Sequence, residues 1–137
     1  MIVLDTHVLV WAMQADDRLG PQARRLIEDA ANETALFVPA ITPWEIAMLV
    51  EKGRLALGRD VGQWLEAALG LSGIRLAALS VGISVDSVRL PGQFHPDPAD
   101  RMIVATARAL DATLLTADIA ILTYGEQGYV RVTDARL

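Results

Sequence analysis

Cysteine is absent from this sequence of 137 residues. Its absence excludes disulfide bonds and metal sites built on thiolates. Lysine is nearly absent, because Lys52 is the single lysine among twelve basic residues, and the net charge is −5. The sequence therefore carries no broad basic surface for nucleic acid, and any phosphate binding must be local, through metal ions or a few arginines.

Long apolar runs are also missing, although 53% of the residues are apolar. The longest uninterrupted runs are far too short to span a bilayer, so we expect no membrane association. The first residues, MIVLD, predict a strand and not a signal peptide, which favours a cytoplasmic location. The length suits a single domain over residues 1–137, and the apolar surplus can serve a subunit or partner interface.

The most informative segment is HPDPADRMIVATARALDATLLTAD, residues 95–118. Asp97 followed by proline is typical of a helix N-cap and first helical residue, which puts Asp100 at the third helical position. Apolar residues follow Asp100 at three, four and seven positions, so this acid shares the packed face of its helix. Residues 113–116 predict a short strand, and Asp118 then opens a further helix, after the previous one has ended near residue 111.

The start of the chain predicts a βαβ unit. Residues 2–5 form a buried strand that ends on Asp5, and residues 6–13 form the helix that follows. Another helix begins at Pro21, and residues 36–38 form the second strand.

A second acid-bearing helix is predicted after this unit. Thr42 is the expected N-cap, Pro43 the first helical residue and Glu45 the third, and Gly53 ends the helix. Apolar side chains surround Glu45 almost completely. We interpret the three tryptophans, Trp11, Trp44 and Trp64, mainly as core residues.

The remaining elements are predicted from shorter patterns. Asp60 caps one helix and Ser80 another that extends to residue 88. A short edge strand is expected over residues 74–79, although its pattern is mixed. Residues 129–132 alternate well enough for a final strand, and residues 133–137 are interpreted as a tail.

Four acids are expected to converge. In a parallel α/β fold each helix starts where a strand ends, and ligands bind at that carboxyl edge of the sheet. The acids that map to this edge are Asp5, Glu45, Asp100 and Asp118. Four carboxylates without a counter-charge repel one another, so a bound cation is expected. Ligation by oxygen alone favours Mg²⁺ or Mn²⁺.

A simpler interpretation exists for each acid. Thr42-x-x-Glu45 is a capping box, Asp97-x-x-Asp100 nearly is one, and Asp118 is suited to be a helix cap. Asp5 on the same view is a solvated residue at a strand end. Caps alone, however, do not require acids embedded in apolar helix faces, so we favour the cation site.

Other polar residues near these acids are candidates for supporting roles. Thr6 and Thr116 stand beside two of the acids, where a hydroxyl can hydrogen-bond to a metal ligand. His7 and His95 are interpreted as surface or capping groups and are left out of the chemistry. Arg101, adjacent to one acid, is the first candidate for holding a substrate phosphate, with an exposed helix arginine as the alternative.

Four blocks occur in order along the chain: LDTHVLVW, PAITPWEIAMLVEKGRL, LPGQFHPDPADRMIVATA and LLTADIAILTYG. From residue 1 to about residue 132 this pattern resembles the PIN-domain ribonucleases, most closely the VapC type of toxin. The resemblance implies a three-layer α/β/α fold with a central parallel sheet and an endoribonuclease that depends on Mg²⁺ or Mn²⁺. The catalytic, metal-binding residues that it implies are Asp5, Glu45, Asp100 and Asp118. Thr116 matches a hydroxyl position beside the last acid, whereas Ala99 departs from the aromatic residue that relatives often carry.

The resemblance also implies partners. These are a second copy of the chain in a homodimer, a small antitoxin protein, and a structured RNA such as transfer RNA cut at a single-stranded loop. Trp44, Met48 and Leu49 are the expected contact with the antitoxin, because their helix is more apolar than one core-facing stripe requires.

Two alternative functions belong to other classes of protein than the ribonucleases. A signalling receiver domain also gathers acids around Mg²⁺, but it needs a lysine after a late strand, and Lys52 lies in the first half. A catalytically silent PIN-like binding module is the other, and four intact acids argue against it.

Overall fold

The computed structural model describes residues 1–137 as a five-stranded parallel sheet with seven helices. The strands are β1 (Ile2–Leu4), β2 (Leu36–Pro39), β3 (Ile74–Ala77), β4 (Thr113–Thr116) and β5 (Val132–Asp134). The helices are α1 (Thr6–Met13), α2 (Pro21–Asn32), α3 (Ile41–Glu51), α4 (Val61–Leu69), α5 (Val81–Val88), α6 (Pro98–Leu110) and α7 (Ile119–Glu126).

The strand order β3-β2-β1-β4-β5 places β1 at the centre. Ile2 is in register with Leu36 of β2 on one side and with Thr113 of β4 on the other. The chain therefore winds in one direction from β1 to β3 and in the other direction from β4 to β5. Such a reversal leaves a crevice at the carboxyl ends of the two flanking strands, which here are β1 and β4.

Neighbouring residues of the central strands point into different cores. Leu4 and Leu115 belong to a cluster formed with α1 to α4, whereas Val3 and Leu114 belong to a cluster formed with α5 to α7. Successive side chains of a strand point to opposite faces, so helices cover both sides of the sheet. The predicted three-layer α/β/α fold with a central parallel sheet is confirmed.

Most helix starts follow from local sequence. Five helices begin after a residue whose side chain accepts a backbone N–H of the first turn: Asp5, Asp60, Ser80, Asp97 and Asp118. The predicted N-caps Asp60, Ser80 and Asp97 are confirmed, and a helix opens at Asp118 as predicted. Gly53 adopts a φ of +71°, which suits the predicted end of α3.

The predicted start of α3 is wrong. The helix begins at Ile41, its cap residue Ala40 has helical backbone angles, and no side chain caps it. Thr42 lies inside the helix, fully buried, with its Oγ1 at 3.3 Å from Thr6 Oγ1. The capping box with Glu45 therefore does not form, because Thr42 contacts a residue 36 positions away.

The prediction for the end of the chain is also wrong. The last strand lies at residues 132–134 and not at 129–132, because the alternating residues before it pack against helices. The Tyr129 ring stacks on Tyr124 of α7 at a centroid distance of 4.9 Å, and Val130 is buried. Residues 133–137 are no tail: Ala135 is fully buried, and Leu137 O accepts a hydrogen bond from Ala23 N.

Two further observations concern the surface. Trp11 and Trp64 are buried as predicted, but Trp44 is 57% exposed, so its assignment to the core is wrong. None of the helices is long and apolar enough to cross a membrane.

Candidate metal centre

Two acids follow the strands that flank the crevice. Asp5 comes directly after β1 and caps α1, and Asp118 lies two residues after β4 and caps α7. The Thr116 hydroxyl donates to Asp5 Oδ2 at 2.7 Å and accepts from the Asp118 N–H at 3.0 Å. One buried hydroxyl therefore joins both acids, and the supporting role of Thr116 in a metal site stays a prediction.

Asp5 is the most buried of these carboxylates, with 6% of its surface exposed. Its Oδ1 accepts the Thr6 N–H at 2.8 Å. Burial raises the pKa of Asp5, and the hydrogen bonds from Thr116 and Thr6 oppose this rise. The Thr6 hydroxyl, by contrast, contacts Thr42 and not an acid, so Thr6 acts here through its backbone and not through the predicted hydroxyl.

Helices α3 and α6 supply the other acids. Asp97 caps α6 by accepting the Asp100 N–H at 3.0 Å, as predicted. Glu45, Asp97 and Asp100 each place a carboxylate oxygen within 4.8 Å of the others. A second group of His95, Asp100 and Asp118 meets the same limit, so Asp100 belongs to both groups.

All four predicted acids line one cavity of about 430 Å³ together with Asp97. Its remaining lining residues are His7, Trp11, Arg18, Ala117 and Arg136. The predicted convergence of the acids on one edge of the sheet is therefore confirmed. Their role as metal ligands stays a prediction.

Burial and repulsion between carboxylates both disfavour ionised acids in this cavity. The pKa of Asp100 is raised to about 8, first by burial and then by the charges of Asp5, Asp97, Asp118 and Glu45. Five acids in one cavity with carboxylate oxygens as the main donors fit a hard divalent cation such as Mg²⁺ or Mn²⁺. A bound cation would remove the repulsion that disfavours ionised Asp100.

His95 is closer to the chemistry than its sequence context indicated. Its Nε2 lies 3.1 Å from Asp100 Oδ2, and its Nδ1 accepts the Asp97 N–H at 3.3 Å. With Nδ1 acting as an acceptor, a neutral ring carries its proton on Nε2, facing Asp100. The ring also packs on Phe94, at a centroid distance of 4.4 Å. Leaving His95 out of the site was therefore wrong.

Arg101 does not line the cavity that holds the acids. Its guanidinium donates to the carbonyl oxygens of Ser87, Phe94, His95 and Val88, which fixes the loop before α6. The preference for Arg101 as a phosphate ligand is therefore wrong. Arg18 and Arg136 line the cavity instead, and nothing in their local sequence distinguished them from the other arginines.

Comparisons with known proteins agree with this architecture. Residues 2–126 match the PIN domain family. The chain is 35% identical over 117 residues to Ribonuclease VapC22 of Mycobacterium tuberculosis (strain ATCC 25618 / H37Rv), an alignment that covers 85% of this chain and 86% of the relative. The chain therefore belongs to the PIN-domain family, within the group of VapC proteins.

Solved structures share the fold at low sequence identity. A chain of VapBC2 from Rickettsia felis, crystallised with a DNA fragment from its promoter, superposes with a TM-score of 0.68 at 18% identity. That match covers 97% of this chain and 98% of the other. A chain of a toxin–antitoxin complex from Klebsiella pneumoniae has a TM-score of 0.61 at 20% identity, with 98% of each chain covered.

Proposed function

We propose that this protein is a metal-dependent endoribonuclease that hydrolyses RNA phosphodiester bonds and acts as the toxin of a toxin–antitoxin pair. The observation that carries the proposal is the convergence of Asp5, Glu45, Asp100 and Asp118 on one cavity. They come from four separate segments of a chain whose relative is named a ribonuclease. A cytoplasmic site of action follows from the proposed substrate.

These four acids would hold Mg²⁺ or Mn²⁺. At this position such an ion supplies Lewis-acid activation of a water molecule and neutralises charge at the scissile phosphate. The protein's own contribution is geometry: Asp5 and Asp118 are fixed through Thr116, and Asp100 is held between His95 and the start of α6. Fixed carboxylates reduce the reorganisation needed when the substrate binds.

The substrate class follows from the same arrangement. The cavity is open at the edge of an acidic protein, so it can accept an exposed phosphate but has little positive charge to hold a long duplex. Splayed-out nucleotides of single-stranded loops present such phosphates. We therefore propose single-stranded RNA segments as substrates, with loops of structured RNA such as transfer RNA as the specific candidates.

An antitoxin protein is the proposed inhibitor. Structures of toxin–antitoxin complexes contain chains of this fold. On α3, Trp44 is exposed, and Met48 and Leu49 are half-buried, which leaves apolar surface available next to Glu45. Protection of residues 43–52 from hydrogen exchange on addition of the partner would support this location, and its absence would contradict it.

A homodimer is the proposed assembly. Val81, Val85 and Val88 are exposed on one face of α5, since they are separated by four and three residues. An apolar face of this kind is typical of subunit interfaces. Equilibrium sedimentation of the wild type and of Val85→Glu tests the assembly, and a monomeric wild type would contradict it.

The central experiment measures cleavage of a single-stranded RNA with and without Mg²⁺ or Mn²⁺. We expect cleavage with metal, none with EDTA, and survival of a duplex of the same sequence. A well-folded wild type that binds metal and RNA but cuts nothing would favour the catalytically silent alternative. Sequencing the 5′ ends generated in cells after induction identifies the RNA, and cuts scattered through many messages would contradict a selective loop substrate.

A further inference from the structure

Two turns of the same geometry border the cavity. Arg18 donates from its backbone N to Asp16 Oδ1 at 2.9 Å, from Nε to Oδ1 at 3.1 Å and from Nη2 to Oδ2 at 2.7 Å. Arg136 makes the same three contacts with Asp134, at 3.0, 3.1 and 3.3 Å. The sequence therefore uses one Asp-x-Arg arrangement twice, at positions separated by more than a hundred residues.

Backbone hydrogen bonds join these turns to each other and to the acids. Gly20 N donates to Ala135 O at 2.9 Å, and Ala135 N donates to Thr116 O at 2.8 Å. Thr116 is in register with Asp134, so the turn that carries Arg136 follows β5 at the same edge of the sheet as Asp118 follows β4. Both arginines line the cavity that contains the acids.

Three other arginines already use their guanidinium groups in contacts that stabilise the fold. Arg101 binds backbone carbonyls, and Arg108 binds Asp86 and Tyr129 O. Arg131 is paired with Asp111 at a surface that the acidic cavity does not include. Arg18 and Arg136 are therefore the two arginines at the site.

Each of the two guanidinium groups keeps donors free. The aspartate occupies Nε and Nη2, whereas Nη1 is left without a protein partner. The side chains are 66% and 49% exposed, and the Arg18 guanidinium lies 4.9 Å from the centre of the Trp11 ring. A fixed, planar cation with free N–H groups is suited to bind a phosphate oxygen.

The acids themselves cannot hold the phosphates that flank a scissile bond, since carboxylates repel them. We propose that Arg18 and Arg136 form a phosphate-binding pair that holds the RNA backbone beside the scissile phosphate. This inference rests on the proposed ribonuclease function. Exposed ion pairs with aspartate are weak, so a guanidinium can share or exchange its carboxylate for a phosphate at small cost.

The test compares Arg18→Gln, Arg136→Gln and the double variant with Arg131→Gln, a matched control that also removes an arginine paired with aspartate. Steady-state cleavage of a single-stranded RNA oligonucleotide is measured with Mg²⁺ over a range of KCl concentrations. We expect each cavity variant to raise KM on the order of tenfold and to leave kcat within about twofold. The plot of log(1/KM) against log[KCl] should become shallower by about 0.7 for each arginine removed.

Four measurements separate the possible results. Titration calorimetry with Mn²⁺ should give the same affinity for all variants, because no arginine is a metal ligand. If both cavity variants keep the wild-type KM and only their Tm is lower, the proposal is wrong, and these arginines only stabilise their turns. A wild type that binds metal but cuts no RNA would refute the ribonuclease function, and the phosphate-binding pair with it. Arg18→Lys and Arg136→Lys should retain the salt dependence and lose part of the affinity.

Discussion

Replacing Asp100 by asparagine should stabilise the metal-free protein, although it removes a proposed metal ligand. The pKa of Asp100 is raised from 3.8 to about 8 by burial and by the neighbouring acids. Between these values the folded state holds a proton that the unfolded chain has lost. The stability of the metal-free wild type therefore falls as the pH rises from about 4 to about 8, and it levels off above that range.

The size of the effect follows from the same numbers. The difference between 8 and 3.8 is about 4, which corresponds to about 6 kcal/mol at ~1.36 kcal/mol per pH unit. The Asp100 side chain keeps 19% exposure in an open cavity, so solvent reduces the cost of burial, and solvent and salt screen much of the repulsion. We expect Asp100→Asn to exceed the wild type by about 2 kcal/mol in EDTA above about pH 8, or by roughly 6 °C in Tm.

The assay is thermal unfolding followed by circular dichroism in EDTA, between about pH 5 and pH 9. Asp29→Asn, an exposed change on α2, is the control and should follow the wild type. Saturating Mg²⁺ should reverse the order, because binding then stabilises the wild type more than the variant. Two results would contradict this prediction: a wild-type Tm in EDTA that does not fall as the pH rises, or a Tm of Asp100→Asn below that of the wild type at alkaline pH.

Three further predictions concern individual groups of the site. Asp5→Asn and Glu45→Gln should each reduce the rate of RNA cleavage by a hundredfold or more, since loss of a residue that only supports a metal ligand already costs about 10–100-fold. Full activity in either variant, with an unchanged circular dichroism spectrum, would remove that residue from the site. Thr116→Val deletes the 2.7 Å hydrogen bond to Asp5 and should lower the free energy of unfolding by about 2 kcal/mol in urea titrations, with Thr116→Ser close to wild type. His95→Leu should weaken Mn²⁺ binding about tenfold by calorimetry. His95→Gln keeps a hydrogen-bond donor near Asp100 and should retain most of the wild-type affinity. Equal losses of affinity in both variants would indicate that His95 is itself a metal ligand.

Local signals in the sequence predict the elements that depend on neighbouring residues. Asp97 and Pro98 start α6 as expected, because an N-cap and a first-turn proline act within one helical turn. The apolar residues after Asp100 indicate which face of the helix is packed. The apolar patterns also give the alternation of strands and helices along the chain, and hence the edge of the sheet at which the acids meet.

Contacts between distant segments explain what the sequence did not predict. Thr42 has the residue type of a cap, but its hydroxyl contacts Thr6, so α3 begins earlier. The segment that begins at Tyr129 alternates like a strand, but Tyr129 stacks on Tyr124 and the strand begins only at Val132. The positions of Arg18 and Arg136 depend on a strand register and on hydrogen bonds across the chain, which residue type alone does not specify.

The pairing of β1 with β4 has a consequence for folding kinetics. The hydrogen bond from Thr116 to Asp5 joins residues 111 positions apart, so half of the site exists only after this long-range pairing has formed. Pairings of such large sequence separation form late and slowly. A divalent ion that recognises the assembled site should then leave the folding rate almost unchanged and slow the unfolding rate. Metal would extend the lifetime of the native state without guiding the chain to it.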